Sequence, residues 1–388
     1  MAQEIHKVVL CGHYGSTNLG DEAIGLSMVD SINKSHPEAR IVVLSYDPKR
    51  TELFYKKYRP ELKINAKYLL PLGIRSFMRG ILKGELWHSI NEIRTCDRFV
   101  MGGGGLFTDE RLFAVFLWGM HALKAYKYKK PVYMIGQSVG PLKTRIGKWM
   151  VRKVFKNAKC INVRDEESKL TLEKLKINKD IIVSCDPVFG LKFNRNLINN
   201  LSLNEVNKKV EQEKLNGFFV FTIRPWNKNF TNMYKRFIQQ VMSIRKNYRL
   251  LPVFIPFQLI RENDMVILNK IIDQKERLQQ IDKLEFRENI DEVLGVISQA
   301  KFTFGVRLHS LLFSMIVSVP FFAFSYSPKI DNILKVLKLE NFKINNLNNF
   351  NIEEVVNPIL SNRDDLSREL KQKCEILKIE WEKNFNID

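Results

Sequence analysis

The feature that most restricts how this chain can fold is its rhythm: apolar runs of four to six residues recur along it, separated by longer amphipathic stretches. Parallel strands buried on both faces and joined by crossover helices produce that pattern. The predicted class is therefore α/β. In the first half the runs fall at Val8 to Cys11, Ile41 to Ser45, Arg98 to Met101, Val132 to Ile135, Cys160 to Val163 and Ile181 to Cys185. Residues 187–216 then change character, with seven asparagines scattered among charges, and read as a linker. The rhythm resumes at Phe218 to Ile223, Leu251 to Ile255, Phe302 to Val306 and Phe321 to Ser325, with helices expected over 262–274, 291–299 and 310–317. Two Rossmann-like domains facing a cleft are expected, over 1–186 and 217–388, with ligands at the carboxyl ends of strands. Leu366, Leu370, Cys374, Leu377 and Trp381 mark one face of a long C-terminal helix, expected to lie on a domain surface.

The 388 residues suffice for two sizeable cores without disulfides or structural metals. Five cysteines with no Cys-x-x-Cys pair read as reduced thiols. No basic-then-apolar leader precedes the first strand, so a cytoplasmic protein is expected. The apolar stretch Leu311 to Tyr326 is too short for a membrane span and contains Pro320. Net charge is +20, and residues 1–185 hold 32 Lys/Arg against 18 Asp/Glu. From Arg111 to Arg164 there are thirteen cations and no acidic residue. Seven of those cations lie between Lys143 and Lys159, among Trp149, Met150, Val151, Val154 and Phe155. Such a stretch suits an anionic membrane surface or lipid-linked substrate; a solvated basic face reads equally well.

Three segments carry the chemistry. Gly12 to Ala23, GHYGSTNLGDEA, follows the first strand and matches neither a dinucleotide fingerprint nor a P-loop. Its Asp21 and Glu22 can accept a proton from a hydroxyl substrate or simply favour a helix start. Gly102 to Gly105 follow the strand ending at Met101, and so much flexible backbone implies close approach by a ligand or a neighbouring helix. In the second half, Arg307 and His309 stand where a strand turns into a helix, which is an anion-binding context. A lone histidine in apolar surroundings can also be a hydrogen-bonded core residue. Arg224 and Lys329 are expected at the same edge of the second sheet, so three strands each deliver a cation to one place.

GHYGSTNLGDEA, MGGGGLFTD, the VRDEES from Val163, the DPVF from Asp186, TIRPW from Thr222 and VRLHSLLFSMIVSVPFFAFSYSPK together resemble the polysaccharide pyruvyltransferase family, in order, along nearly the whole chain. Two departures are visible: His13 where members often carry an aromatic residue, and Ser327 where a Tyr-Asp-Pro-Lys form would place an aspartate. The resemblance implies a GT-B-like fold, a phosphoenolpyruvate donor, and a pyruvyl group placed as a cyclic ketal on two hydroxyls of one sugar. It assigns Arg307 and His309 to the family's Arg-Leu-His donor segment, Arg224 to its Arg-Pro element and Lys329 to its Tyr-x-Pro-Lys element. On this reading His309 is the acid, Arg224, Arg307, Lys329 and Ser310 hold the donor, and Asp21 or Asp109 takes the hydroxyl proton. Gly12, His13, Tyr14, Asn18, Glu22, Gly103 and Gly104 are expected on the acceptor side. The expected acceptor is a sugar on an undecaprenyl diphosphate at the inner membrane face; neither metal nor cofactor is required. The competing readings are a GT-B glycosyltransferase using a nucleotide-sugar, and a basic protein that binds nucleic acid or membrane. No nucleic-acid recognition motif appears, so nucleic acid is not expected as a partner.

Overall fold

A computed structural model describes residues 4–72, 78, 80–109, 112–193, 201–224, 230–260, 263–271, 281–283, 289–325, 328–336, 339–344 and 351–388. The chain forms two compact units, Met1–Lys192 with Leu377–Asp388, and Phe193–Ile376.

The first unit is built on seven parallel strands: β1 (Lys7–Cys11), β2 (Arg40–Ser45), β3 (Ile64–Tyr68), β4 (Arg98–Phe107), β5 (Val132–Val139), β6 (Cys160–Val163) and β7 (Ile181–Val183). Their order across the sheet is β3-β2-β1-β4-β5-β6-β7. The second unit has six: β8 (Phe218–Phe221), β9 (Leu251–Phe254), β10 (Asp282–Lys283), β11 (Thr303–Gly305), β12 (Phe321–Phe324) and β13 (Lys343–Ile344), ordered β10-β9-β8-β11-β12-β13. Helices cross between strands in both units, as parallel pairing requires. The central strands bury both faces, which is why they read as unbroken apolar runs: Val8, Val9, Leu10 and Cys11 are all fully buried, as are Phe219, Val220 and Phe221. The strands that the apolar rhythm does not announce are β3, β10 and β13, all at sheet edges or beside them. β3 carries the half-exposed sequence INAKY, and the other two are two residues long. β4 runs on through the four glycines to Phe107, rather than ending at Met101, because the glycines still pair with β5.

The expected boundaries differ at both ends of the second domain. Pro187–Gly190 is not a linker: it forms a 3-10 turn against the helix Leu19–Ser35, where Ser27 Oγ donates to Pro187 O at 2.5 Å. The helix Leu201–Gln212 belongs to the second unit, with Val206 buried and Ser202 donating to Glu292. The C-terminal helix Arg363–Asn384 divides its loyalty. Arg363 donates to the carbonyls of Ala300 and Lys301 in the second unit. Trp381, fully buried, donates Nε1–H to Ser31 Oγ at 3.0 Å in the first. The apolar stripe read from the sequence is real, and its last members complete the first core rather than the second.

Candidate active site

In an open parallel sheet, a crevice forms at the carboxyl ends of two adjacent strands whose connections run in opposite directions. Each unit has one such reversal point. In the first it lies between β1 and β4, and in the second between β8 and β11. The glycine-rich segments follow the first pair, and the Arg224 and Arg307-His309 segments follow the second.

At the first point the chain leaves β1 through Gly12 to Asn18 and enters the helix Leu19–Ser35. Asn18 caps that helix by accepting from the amides of Gly20 at 3.0 Å and Asp21 at 3.3 Å. Tyr14 turns inward, its hydroxyl donating to Gly102 O at 2.9 Å, so the β1 turn is pinned to the β4 glycine run. Gly12 must be small because a Cβ there would stand 2.6 Å from the Tyr14 ring. Gly103 has φ +59° and faces Ile24 and Pro187, so a neighbouring helix explains that glycine. Gly104, buried at φ +88°, has Asp21 Oδ1 3.7 Å and Ile24 Cδ1 4.0 Å from where a Cβ would stand. His13 Nδ1 and Asp21 Oδ2 lie 3.0 Å apart, with side chains 29% and 21% exposed, so both reach solvent. The His13 ring stands edge-on to Tyr46 at 5.1 Å and to Trp118 at 6.2 Å. The His13–Asp21 pair offers a sugar hydroxyl an acceptor, while Trp118, 2% exposed, backs His13 from the core. Glu22 points the other way. It is buried, accepts from the Ser16 amide at 3.1 Å, and burial together with the nearby Asp21 charge pushes its carboxyl up to about 8.

Asp109 follows β4 but is fully engaged. Its carboxylate accepts from the amides of Lys143 at 2.7 Å and Thr144 at 2.6 Å and from Thr144 Oγ1 at 2.7 Å. Burial pushes its carboxyl up, but these bonds outweigh it and hold the group below the ordinary range. Nothing in that arrangement connects Asp109 to the His13–Asp21 pair.

At the second point Thr222 is the hub. Its Oγ1 accepts from the amides of Val306 at 3.1 Å and Arg307 at 3.3 Å and lies 3.0 Å from Ser310 Oγ. Ser310, fully buried, also donates to Arg307 O at 2.6 Å. One hydroxyl pair thus ties the end of β8 to the start of the helix Leu308–Ile316. Arg224 lies two residues beyond Thr222, with its amide donating to Tyr234 Oη at 3.0 Å, and its side chain is half-buried. His309, also half-buried, opens the helix beside Ser310. Lys329 falls in the first turn of the helix Pro328–Val336, after the adjacent β12; its side chain lies outside the described residues.

Arg307 is placed differently from the expectation. Its guanidinium, 7% exposed, is gripped by Asp264, with Nε donating to Oδ2 at 3.2 Å and Nη2 donating to Oδ1. Asp264 Oδ2 also accepts from the amides of Phe257 at 2.9 Å and Gln258 at 3.1 Å. Burial pushes the Asp264 carboxyl up, and the Arg307 charge pulls it back. The two charges largely cancel, so Arg307 brings less net charge to this edge than its sequence position promised.

The motifs VRDEES and DPVF meet in another buried network. Arg164 Nη1 donates to Asp186 Oδ2 at 2.6 Å and its Nε to Ser138 Oγ, which donates in turn to Asp165 Oδ2 at 3.0 Å. Asp165 caps the helix Glu166–Lys174 and Asp186 caps the 3-10 turn. These residues frame the first sheet.

A family model for polysaccharide pyruvyl transferase matches residues 18–328. The chain belongs to that family. Amylovoran biosynthesis protein AmsJ of Erwinia amylovora is 24% identical over 408 aligned residues, covering 95% of each chain. Among solved structures, the UDP-GlcNAc 2-epimerase of Methanocaldococcus jannaschii aligns with a TM-score of 0.59 at 13% identity, over 99% of this chain and 94% of that one. The UDP-GlcNAc 2-epimerase of Neisseria meningitidis, bound to UDP-GlcNAc, aligns at 0.58 and 12%, over 98% and 100%. That likeness shows the fold alone, a GT-B-like pair of parallel α/β sheets. As a polysaccharide pyruvyl transferase, the protein is a transferase of polysaccharide biosynthesis. Among the described residues no helix is long and apolar enough to cross a membrane. The family's motifs divide between the reversal points and their supports. Tyr46, Trp118 and Asp264 lie in none of the motifs that carry the family resemblance. Asp264 is 43 residues from Arg307, so only the fold could pair them.

Proposed function

We propose that the protein moves the pyruvyl group of phosphoenolpyruvate onto two hydroxyls of one sugar, forming a cyclic ketal and releasing phosphate. The observation that carries this reading is the placement of Arg224 and His309 at the ends of adjacent strands, at the reversal point of the second sheet, in a chain of this family. Phosphoenolpyruvate is small and carries a carboxylate and a phosphate, so it needs cations and N–H donors to replace lost water. Arg224, Lys329 and the first amides of the helix Leu308–Ile316 supply them, while Arg307, held by Asp264, is a positioning residue for that helix start.

His309, protonated, gives its proton to the methylene carbon, which becomes a methyl group. The first sugar hydroxyl bonds to the adjacent carbon, and Asp21, hydrogen-bonded to His13, takes its proton. The C–O bond to phosphate then breaks with the electron pair leaving on phosphate. The second hydroxyl closes the ring, and its proton restores His309; the proton on Asp21 departs with the phosphate. Asp21 is assigned as base because it is partly solvent-accessible and hydrogen-bonded to His13, whereas Asp109 is engaged elsewhere. The acceptor is a lipid-linked glycan, a reading supported by the excess of cations in residues 1–185.

Thermal melting with phosphoenolpyruvate and, separately, with nucleoside diphosphates tests the donor. A ligand at a hundred times its Kd stabilises by about 2.7 kcal/mol. Phosphoenolpyruvate is expected to raise the melting temperature and Arg224→Ala to abolish the rise; protection by the nucleotide alone would assign a nucleotide-sugar donor. Mass spectrometry with labelled donor, on lipid-linked and soluble glycans in parallel, tests the product and acceptor. Equal turnover of both would remove the lipid requirement.

A further inference from the structure

The helix Arg145–Lys156 has two faces of opposite character. Gly147, Met150, Val151, Val154 and Phe155 are buried, and the helix packs beside Leu112–Lys127. Its start is fixed by Thr144, whose Oγ1 accepts from the Gly147 amide at 3.0 Å and donates to Asp109. The outer face carries five exposed cations, Arg145, Lys148, Arg152, Lys153 and Lys156. Among them two large apolar side chains project outward, Ile146 at 54% and Trp149 at 53% exposure, with the Lys153 ammonium 4.9 Å from the centre of the Trp149 ring. On the neighbouring helix Phe113 is 57% exposed. Some surface cations elsewhere are matched by acids, as in Lys34–Glu382 at 2.8 Å and Lys373–Glu369 at 2.7 Å. Here the sequence supplies no carboxylate from Arg111 to Arg164, and among the described residues none of the five helix cations has one within ion-pair distance.

We propose that this outer face docks the protein on an anionic lipid bilayer, with Trp149 and Ile146 entering the headgroup region and the surrounding cations held on lipid phosphates. Charge complementarity carries the choice of partner, because the face is cationic throughout. The exposed aliphatic Ile146 favours lipid over nucleic acid, since it can neither stack on a base nor pair with a phosphate. Tryptophan is suited to the interface, with an apolar ring and one N–H donor. A rigid, half-buried helix also loses little conformational freedom on docking. This surface deepens the lipid-linked part of the function proposed above and is tested apart from it, since binding needs neither donor nor acceptor.

The test is cosedimentation of the full chain with vesicles of phosphatidylcholine containing phosphatidylglycerol, against vesicles of phosphatidylcholine alone. Binding is expected only to the anionic vesicles and is expected to weaken as salt rises. Replacing Arg145, Lys148 and Arg152 with Gln is expected to weaken it on the order of 100-fold, at about fivefold per basic residue. Trp149→Ser with Ile146→Ser is expected to weaken it about tenfold or more while every charge remains. Both apolar side chains are more than half exposed, so the fold is kept, and circular dichroism checks this. Lys56→Gln with Lys57→Gln, on the helix Pro48–Tyr58, controls for net charge and is expected to change binding little. Binding that survives both helix variants, or falls as much in the control, would overturn the proposal. So would absence of vesicle binding alongside tight binding to duplex DNA. Vesicle binding with no turnover of any glycan would leave the docking surface standing and defeat the proposed function instead.

Discussion

The reversal points of the two sheets share a backbone plan and almost nothing else. Each lies between the first strand of its unit and the strand that begins the opposite winding, β1 beside β4 and β8 beside β11. The first is furnished with glycines, aromatic rings and the carboxylates of Asp21 and Glu22; the second with Arg224, Arg307, His309 and a hydroxyl hub. Each also buries a carboxyl, but Glu22 is held neutral over much of the physiological range, whereas Asp264 is matched by a guanidinium. Topology fixes where ligands can sit, and on the proposed function the difference in side-chain charge assigns the anionic donor to the second sheet and the polyhydroxyl acceptor to the first.

The largest effect expected from breaking this contrast is at His309. His309→Ala is expected to lower kcat by about a thousandfold, within the range for loss of a general acid, while phosphoenolpyruvate still protects against melting. Retained turnover would remove the histidine from the chemistry. Next comes the buried pair. Asp264→Ala strands the Arg307 charge and is expected to cost about 3 kcal/mol in urea unfolding, whereas Asp264→Leu with Arg307→Met should recover most of that loss. If the double variant keeps its phosphoenolpyruvate protection, Arg307 is a support; if protection vanishes, the guanidinium holds the donor itself. On the acceptor side, Asp21→Asn is expected to lower kcat about a hundredfold with donor KM unchanged. Asp109→Asn should instead act mainly on stability, through the loop at Lys143 and Thr144.

The smallest effect, read per pH unit, concerns Glu22. Its folded carboxyl titrates near 8, against 4.5 ordinarily, so between those values the folded chain keeps a proton that the unfolded chain has lost. Stability contributed by the neutral group is therefore complete below about 4.5 and declines as pH rises through 8, by up to roughly 1.4 kcal/mol per pH unit. Glu22→Gln should flatten the melting temperature across that window; an unchanged slope would place the pH dependence elsewhere.

The parallel α/β plan was legible because fully buried strands must be apolar along their whole length, as in β1 and β8. The candidate site was legible where chemistry sits beside a strand end, at Asp21, Arg224 and His309. What stayed hidden was pairing at a distance. Nothing local marks Asp264 as the counter-charge of Arg307, or Asp186 as that of Arg164, because each partnership is made by strand order. Asp109 illustrates the reverse case: an acid after a glycine-rich strand end looks catalytic until the loop it holds is seen. The C-terminal stripe misled about ownership, since periodicity reveals that a helix has an apolar face but not which core receives it.

That ownership has a consequence for how the polypeptide matures. Trp381 and the turns around it fill a place beside Ser31 and Gly190, in a unit whose sheet is made wholly from the first half of the chain. On the ribosome, the half synthesised first must wait for the half synthesised last before its final core position is occupied. A nascent chain stalled before residue 381 would carry an unfinished amino-terminal lobe, with a groove where an indole should be, however long it was given to fold.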